Sequence, residues 1–134
     1  MNESEVKRRI VKSMHESGGY GRRIEDQYAV GTYDMILIPR GLPTFYAEVK
    51  IIYDNVFKPT ARQLVELMRI QDAAGGMGFV IPVVIGWKAG NFYFHRPAKS
   101  IDRRDCFSVT TSDMEFHKQL VLYYYSQKGQ PNEP

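Results

Sequence analysis

Apolar residues near the start of the chain recur at helical spacing. Val6, Ile10, Val11 and Met14 fall on one face, which predicts a helix over 4–16 stopped by Gly18-Gly19. Residues 20–26 read as a short charged strand or extended turn. Residues 34–39 (Asp-Met-Ile-Leu-Ile-Pro) and 44–52 read as two strands joined by a turn around Gly41, with a loop over 55–59. Thr60 and Gln63 stand at capping-box spacing ahead of a helix over 60–74, and Gly75-Gly76 closes it. The Val- and Ile-rich run 78–87 predicts a buried strand, and 92–95 pairs back on it as a hairpin. An irregular basic loop follows over 96–105. Ser112 and Glu115 form a capping-box pattern that predicts a last helix over 112–125. The order helix, strands, helix, strands, helix predicts a mixed α/β fold, a central mixed β-sheet flanked by helices. One domain is expected over 1–126, with a polar tail over 127–134 that frays.

Composition narrows the choices. With 134 residues, 43% hydrophobic and 25% charged, the chain fits one globular domain, with no room for separate cofactor and substrate domains. The longest apolar run is broken by Pro82 and falls far short of the ~20 residues of a membrane span. The N-terminus is polar and predicts no secretory signal. The single cysteine, Cys106, permits no internal disulfide and no Cys-based zinc site, so the expected compartment is reducing cytosol.

The net charge of +3 is mild, but its distribution is uneven. Lys7, Arg8, Arg9, Lys12, Arg22 and Arg23 crowd the first part of the chain, and Arg96, Lys99, Arg103 and Arg104 form a second group. Two such clusters can follow a phosphate backbone, or they can be two solvated faces.

The chemistry concentrates in the first hairpin. In an antiparallel pair the opposed positions sum to a constant. With the turn centred on Gly41, Asp34 falls opposite Glu48, and Lys50 points to the same face as Glu48. Two carboxylates held side by side repel, which favours protonation of one or capture of a divalent cation. Carboxylate oxygens suit a hard metal such as Mg²⁺, with the Val49 carbonyl as a further oxygen ligand. Lys50 is then placed to orient or activate an attacking water and to offset charge on a phosphate. The alternative is a rim of surface salt bridges. The third ionisable group and the apolar flanks 35–38 and 45–47 favour a site.

Asp34 with Glu48-Val49-Lys50, after a helix carrying an acid and before a helix with Gln63 near its start, resembles the PD-(D/E)XK (restriction-endonuclease-like) nuclease core. The likeness runs from Glu3 to Trp87 and takes in Gly31, Gly75-Gly76 and the apolar strand after them. Within that superfamily it is most similar to the VRR-NUC (virus-type replication-repair) nucleases and the Holliday-junction resolvases. Tyr33 stands where the pattern usually has Pro. The resemblance implies a Mg²⁺-dependent DNA endonuclease in which Mn²⁺ can substitute. It implies catalytic roles for Asp34, Glu48, Lys50 and Gln63, and metal ligation by Asp34, Glu48 and Val49. It also implies a helix-1 acid that holds a second metal or a water. Glu3 shares a face with Ile10 and Met14 whereas Glu5 does not, so Glu3 is the candidate. Gln63 would help orient Lys50, a water or a phosphate, and the competing role is the capping box itself.

The remaining candidates are weaker. His15, His95 and His117 are scattered, and Cys106 has no evident partner. Gly75-Gly76-x-Gly78 has the wrong order for a phosphate loop, so no nucleotide cofactor is expected. Branched or junction DNA is the expected substrate, because a core this small leaves little room for base reading. The basic residues Lys7, Arg8, Arg22, Arg23, Arg62, Arg103 and Arg104 are the expected DNA contacts. Compactness and resemblance suggest a phage or mobile-element enzyme. A homodimer would supply two cuts, through the apolar residues 120–125 or through Phe92, Tyr93 and Phe94, with the former preferred. The other possibility is that these aromatics close the core of a single copy. The rival functions are a replication-repair or nicking nuclease of the same superfamily, and a nucleic-acid-binding module without catalysis.

Overall fold

The computed structural model describes residues 1–24, 34–74, 80–109 and 114–128. Helix α1 spans Glu3–Glu16. Strands β1 (Tyr20–Arg23), β2 (Met35–Ile38), β3 (Thr44–Ile51) and the two-residue β4 (Val56–Phe57) follow. Helix α2 (Ala61–Ala74) leads into β5 (Val80–Lys88) and β6 (Asn91–His95). After the short β7 (Ile101–Asp102) come a 3₁₀ turn over Arg103–Asp105, β8 (Phe107–Ser108) and helix α3 (Phe116–Lys128). The fold is mixed α/β, with a central sheet ordered β1-β2-β3-β5-β6-β8 and helices packed on it. A second, two-stranded sheet pairs β4 with β7.

The first hairpin has the expected register. Met35 faces Ala47 and Ile36 faces Tyr46. The ladder ends at Met35, with the Asp34 N–H also donating to the Ala47 carbonyl at 3.0 Å and the Asp34 carboxyl beside that of Glu48. Its turn needs a left-handed residue, and Gly41 supplies one at φ +76°. Strand β3 then runs parallel to β5, Thr44 against Val80 through Ile51 against Trp87. A parallel pair requires a crossover, and α2 provides it.

Alternation along β3 and β5 builds a core on each face of the sheet. On one face Phe45, Ala47, Val49, Val83 and Ile85 meet Val6, Ile10 and Met14 of α1 and Leu120 and Tyr123 of α3. On the other, Ile52 and Val84 meet Leu67 of α2, Phe57 of β4 and Ile101 of β7. Helix α1 ends where the Gly18 and Gly19 N–H groups return to the carbonyls of His15 and Met14, with Gly18 at φ +81°.

Several sequence expectations shift here. Residues 55–59 contain β4 rather than only loop, because Val56 and Phe57 find ladder partners in Asp102 and Ile101. The basic segment 96–105 contains β7 and a 3₁₀ turn for the same reason. Helix α3 begins at Phe116 rather than at 112, with the Glu115 carbonyl accepting the Lys118 and Gln119 N–H groups. It runs on through Lys128, past the end expected for the domain. Ser112, Gly31, Tyr33, Gly75-Gly76 and the tail 129–134 lie outside the described residues. The aromatics proposed as dimer patches are largely spent within one copy. Phe92 packs edge-on against Phe116 at 4.9 Å, and Phe94 stacks on Tyr123 at 5.3 Å. Leu122 and Tyr125 remain exposed on α3.

Gly86 lies beside Lys50 in the parallel ladder. A Cβ there would come within 2.5 Å of Ile52 Cδ1 and 2.9 Å of Phe57 Cζ. Gly86→Ala should therefore cost about 1–3 kcal/mol through overpacking. A lowered urea midpoint with an unchanged slope is the expected result.

Candidate active site

The second face of β3 carries Glu48 and Lys50, two residues apart and hence on one side of the strand. Glu48 is 0% exposed. Its parallel-strand partner is Val84, part of the apolar cluster on that face. Neither of its carboxyl oxygens has a hydrogen-bond partner among the described residues. A buried polar group without partners is costly, and a buried carboxylate more so. Burial, then the charge of the neighbouring Asp34 carboxylate, then a proton shared with that carboxyl when Glu48 is protonated, push the Glu48 pKa up to about 9. Lys50 and Lys7 pull it the other way and only partly offset this.

Asp34 stands just before β2, where that strand stops covering the edge of β3. Its Oδ2 accepts the Val49 N–H at 2.9 Å, filling the place of a ladder carbonyl. In an extended strand a residue's N–H and C=O point to the same neighbour, so the Val49 carbonyl is turned toward the Asp34 side as well. The other Asp34 oxygen receives Lys7 Nζ at 3.3 Å. Lys7 Nζ also meets Glu3 Oε1 at 3.0 Å, one helical turn back on α1. A chain Glu3–Lys7–Asp34 thus links the first helix to the hairpin, with the Lys7 side chain only 12% exposed.

Lys7 belongs to this site and not to an open DNA-facing surface. Its position is legible in the helix phase, since it lies four residues after Glu3 and three before Ile10. Glu3 reaches the site through Lys7 rather than by approaching Glu48. Lys50 makes no ion pair within 4 Å among the described residues, so the salt-bridge rim is absent here. Gln63 sits in the capping box, with Oε1 accepting the Thr60 N–H at 2.8 Å and Thr60 Oγ1 accepting the Gln63 N–H at 3.2 Å. Its oxygen is thereby held at the start of α2.

The other basic candidates separate cleanly. Arg8, Arg22 and Arg62 are exposed. Arg23 donates to Ser4 Oγ at 3.0 Å. Arg103 donates to Asn55 Oδ1 at 2.9 Å and to Tyr93 Oη at 3.3 Å, tying the 3₁₀ turn to the loop before β4. Arg104 is gripped by Asp102 at 2.7 and 3.0 Å. The second basic cluster therefore owes two of its charges to local structure. Cys106 donates to the Asp102 carbonyl, and burial, with Asp105 and Asp102 adding to it, pushes its thiol up to about 12. It is no nucleophile at neutral pH.

Among the described residues no three His, Cys, Asp or Glu side chains gather to ligate a metal. A cation here would take Asp34, Glu48 and the Val49 carbonyl, and complete its shell with water. That donor set suits a small hard cation that keeps several waters. The unpartnered Glu48 oxygens are what such an ion would satisfy.

The raised Glu48 pKa fixes a pH dependence. Below about pH 4.5 the group is protonated whether the chain is folded or not, and its ionisation adds no pH-dependent cost. Between 4.5 and about 9 the unfolded chain ionises while the folded one resists. Folding stability should then fall by up to about 1.4 kcal/mol per pH unit across that window and level off above it. Urea melts in EDTA should show this slope in the wild type and its loss in Glu48→Gln. Mg²⁺ should restore stability at pH 8 to the wild type far more than to the variant.

No family model matches the sequence, and no curated protein matches it. Among solved structures the chain is similar to Hjc, a Holliday junction resolvase from the archaeal hyperthermophile Archaeoglobus fulgidus. The TM-score is 0.54 at 17% identity, over 74% of this chain and 87% of that one. The sheet, its crossover helix and its flanking helices are thus those of a resolvase-like α/β fold.

Proposed function

We propose that this chain is a metal-dependent, structure-specific DNA endonuclease that hydrolyses phosphodiester bonds in branched DNA, with Mg²⁺ as its cation and Mn²⁺ able to replace it. The observation that carries this reading is Glu48, fully buried beside Asp34 with both oxygens unpartnered. The fold shared with a protein described as a Holliday junction resolvase supports junction DNA as the substrate. The finer kinship, with virus-type replication-repair nucleases and a phage or mobile-element setting, rests on the motif order from Glu3 to Trp87.

When bound, the cation would supply Lewis acidity at the scissile phosphate. The chain's own residues do the rest. Asp34 and Glu48 would hold the ion, and the Val49 N–H and Lys7 fix Asp34 in its rotamer. Lys50, free of ion pairs among the described residues, faces the same side as Glu48 and offsets the charge that grows on the phosphate. A water oxygen bonds to phosphorus as the bond to the leaving oxygen breaks; the attacking water gives up one proton to solvent, and the leaving oxygen takes one up from solvent. Arg8, Arg22, Arg23 and Arg62 contribute phosphate contacts. Gln63 positions the start of α2 through its cap. Glu3 acts through Lys7. Two copies would make the paired cuts a junction needs, meeting on the exposed Leu122 and Tyr125 of α3.

Cleavage of four-way, flapped, nicked and linear DNA with and without Mg²⁺ tests the reading. Asp34→Asn should abolish cleavage while DNA binding in EDTA persists or tightens, because a negative charge facing phosphate is gone. Lys50→Ala should keep the fold and lose about 10²–10⁴-fold in turnover. Full activity of folded Asp34→Asn would remove the assignment.

A further inference from the structure

A groove of about 770 Å³ runs between α1 and β1, outside the carboxylate site. Arg8, Lys12, His15 and Glu16 line it from the helix, and Arg22 and Arg23 from the strand. The groove forms because Gly21 brings helix and strand together. A Cβ on Gly21 would stand 3.2 Å from Met14 Cβ and 3.4 Å from Val11 Cα. The lining is predominantly cationic. Its one carboxylate, Glu16, meets Lys12 at 3.8 Å. Arg8 and Arg22 are exposed and make no ion pair among the described residues, whereas Arg23 is held by Ser4.

At one end of the groove His15 supports an aromatic ring. The His15 and Tyr20 rings lie 5.8 Å apart, and Tyr20 is 46% exposed. At the other end the groove approaches the carboxylates. Arg23 pairs with Met35, the residue after Asp34, and the Ile24 N–H donates to the Asp34 carbonyl at 2.8 Å.

A cationic track with an exposed ring is the combination that holds an unpaired strand. Cations follow the phosphates, and the ring takes a base face that a duplex keeps stacked inside. We propose that the α1–β1 groove seats an unpaired nucleic-acid strand, with Arg8, Lys12 and Arg22 on its phosphates and a base stacked on Tyr20. This rests on the nuclease reading and narrows it. The favoured substrate carries a single-stranded segment next to the cut, as in a flap or a gapped branch.

Fluorescence anisotropy in EDTA, with a labelled thymidine 15-mer and a 15-bp duplex as probes, tests the groove without cleavage. Tyr20→Ala should weaken 15-mer binding by roughly 5- to 100-fold and leave duplex binding within about twofold. Arg8→Ala with Arg22→Ala should flatten the log K against log salt slope for the 15-mer by roughly 1.4. Tyr20→Trp should retain affinity, and its added indole emission should be quenched by the 15-mer, a signal that a merely structural ring would not give. Unchanged 15-mer affinity in both Tyr20→Ala and the arginine pair overturns the proposal. So does an equal loss for the duplex, which would make the groove a seat for duplex backbone. Cleavage by the wild type alongside either result leaves the nuclease reading standing and condemns only the groove. Absent cleavage with Tyr20-dependent 15-mer binding does the reverse.

Discussion

Glu48 is an acid with no hydrogen-bond partner among the described residues, seated where an apolar residue would be cheaper. Its strand neighbours Ala47 and Val49 pack into the core on the opposite face, its ladder partner is Val84, and the Asp34 carboxylate lies beside it. Removing a carboxylate from water costs several kcal/mol unless something replaces the lost hydration. Among the described residues only the neighbouring Asp34 carboxyl approaches it closely enough to share a proton. That makes the site a place of stored electrostatic cost, relieved by a proton on Glu48 or, in the function proposed above, by a cation. Buried groups with displaced pKa values concentrate where chemistry occurs, and this one sits where the hairpin's register, its alternation and its strand end meet.

The two carboxylates are treated very differently by their surroundings. Asp34 has a backbone N–H on one oxygen and Lys7 on the other, so its orientation is set before any ligand arrives. Glu48 is set only by its strand. Lys7 is the residue that makes this asymmetry possible, because it brings a cation from α1 to the open end of β2. Its ties to Glu3 and Asp34 also couple the helix to the hairpin, and so the N-terminal segment contributes to the electrostatics of a site built mainly from β3.

Much of this was legible in the sequence because the relevant rules are geometric. An antiparallel turn at Gly41 fixes which residue opposes Asp34, and a period of two fixes that Lys50 shares a face with Glu48. Grouping charges by sequence proximity sets Lys7 beside Arg8, while the helix turns the two about 100° apart and takes Lys7 to Glu3 and Asp34. The local ties of Arg103 and Arg104 are hidden in the sequence for a related reason. Their partners Asn55 and Tyr93 are distant in sequence, and Asp102 is near but was counted as part of a loop. The two-residue strands β4, β7 and β8 carry no periodicity to detect, since their existence depends on one another. The late start of α3 has a local cause, because the Glu115 carbonyl accepts the first helical N–H groups that the Ser112 pattern had assigned elsewhere.

The position of the site also follows from the crossover. Strands β3 and β5 are parallel, so their carboxyl ends lie at the same edge of the sheet, and Glu48 and Lys50 occupy the last half of β3. In open α/β sheets such ends face a crevice, because the connecting helix must leave the strand there and cannot cover it fully. Among the described residues the β2–β3 ladder ends at Met35, the Asp34 N–H still donates to the Ala47 carbonyl at 3.0 Å, and the Asp34 side chain accepts the Val49 N–H. This end of the hairpin brings a carboxylate and a carbonyl together at the edge of β3. The adjoining face carries the buried acid and Lys50, which makes no ion pair among the described residues.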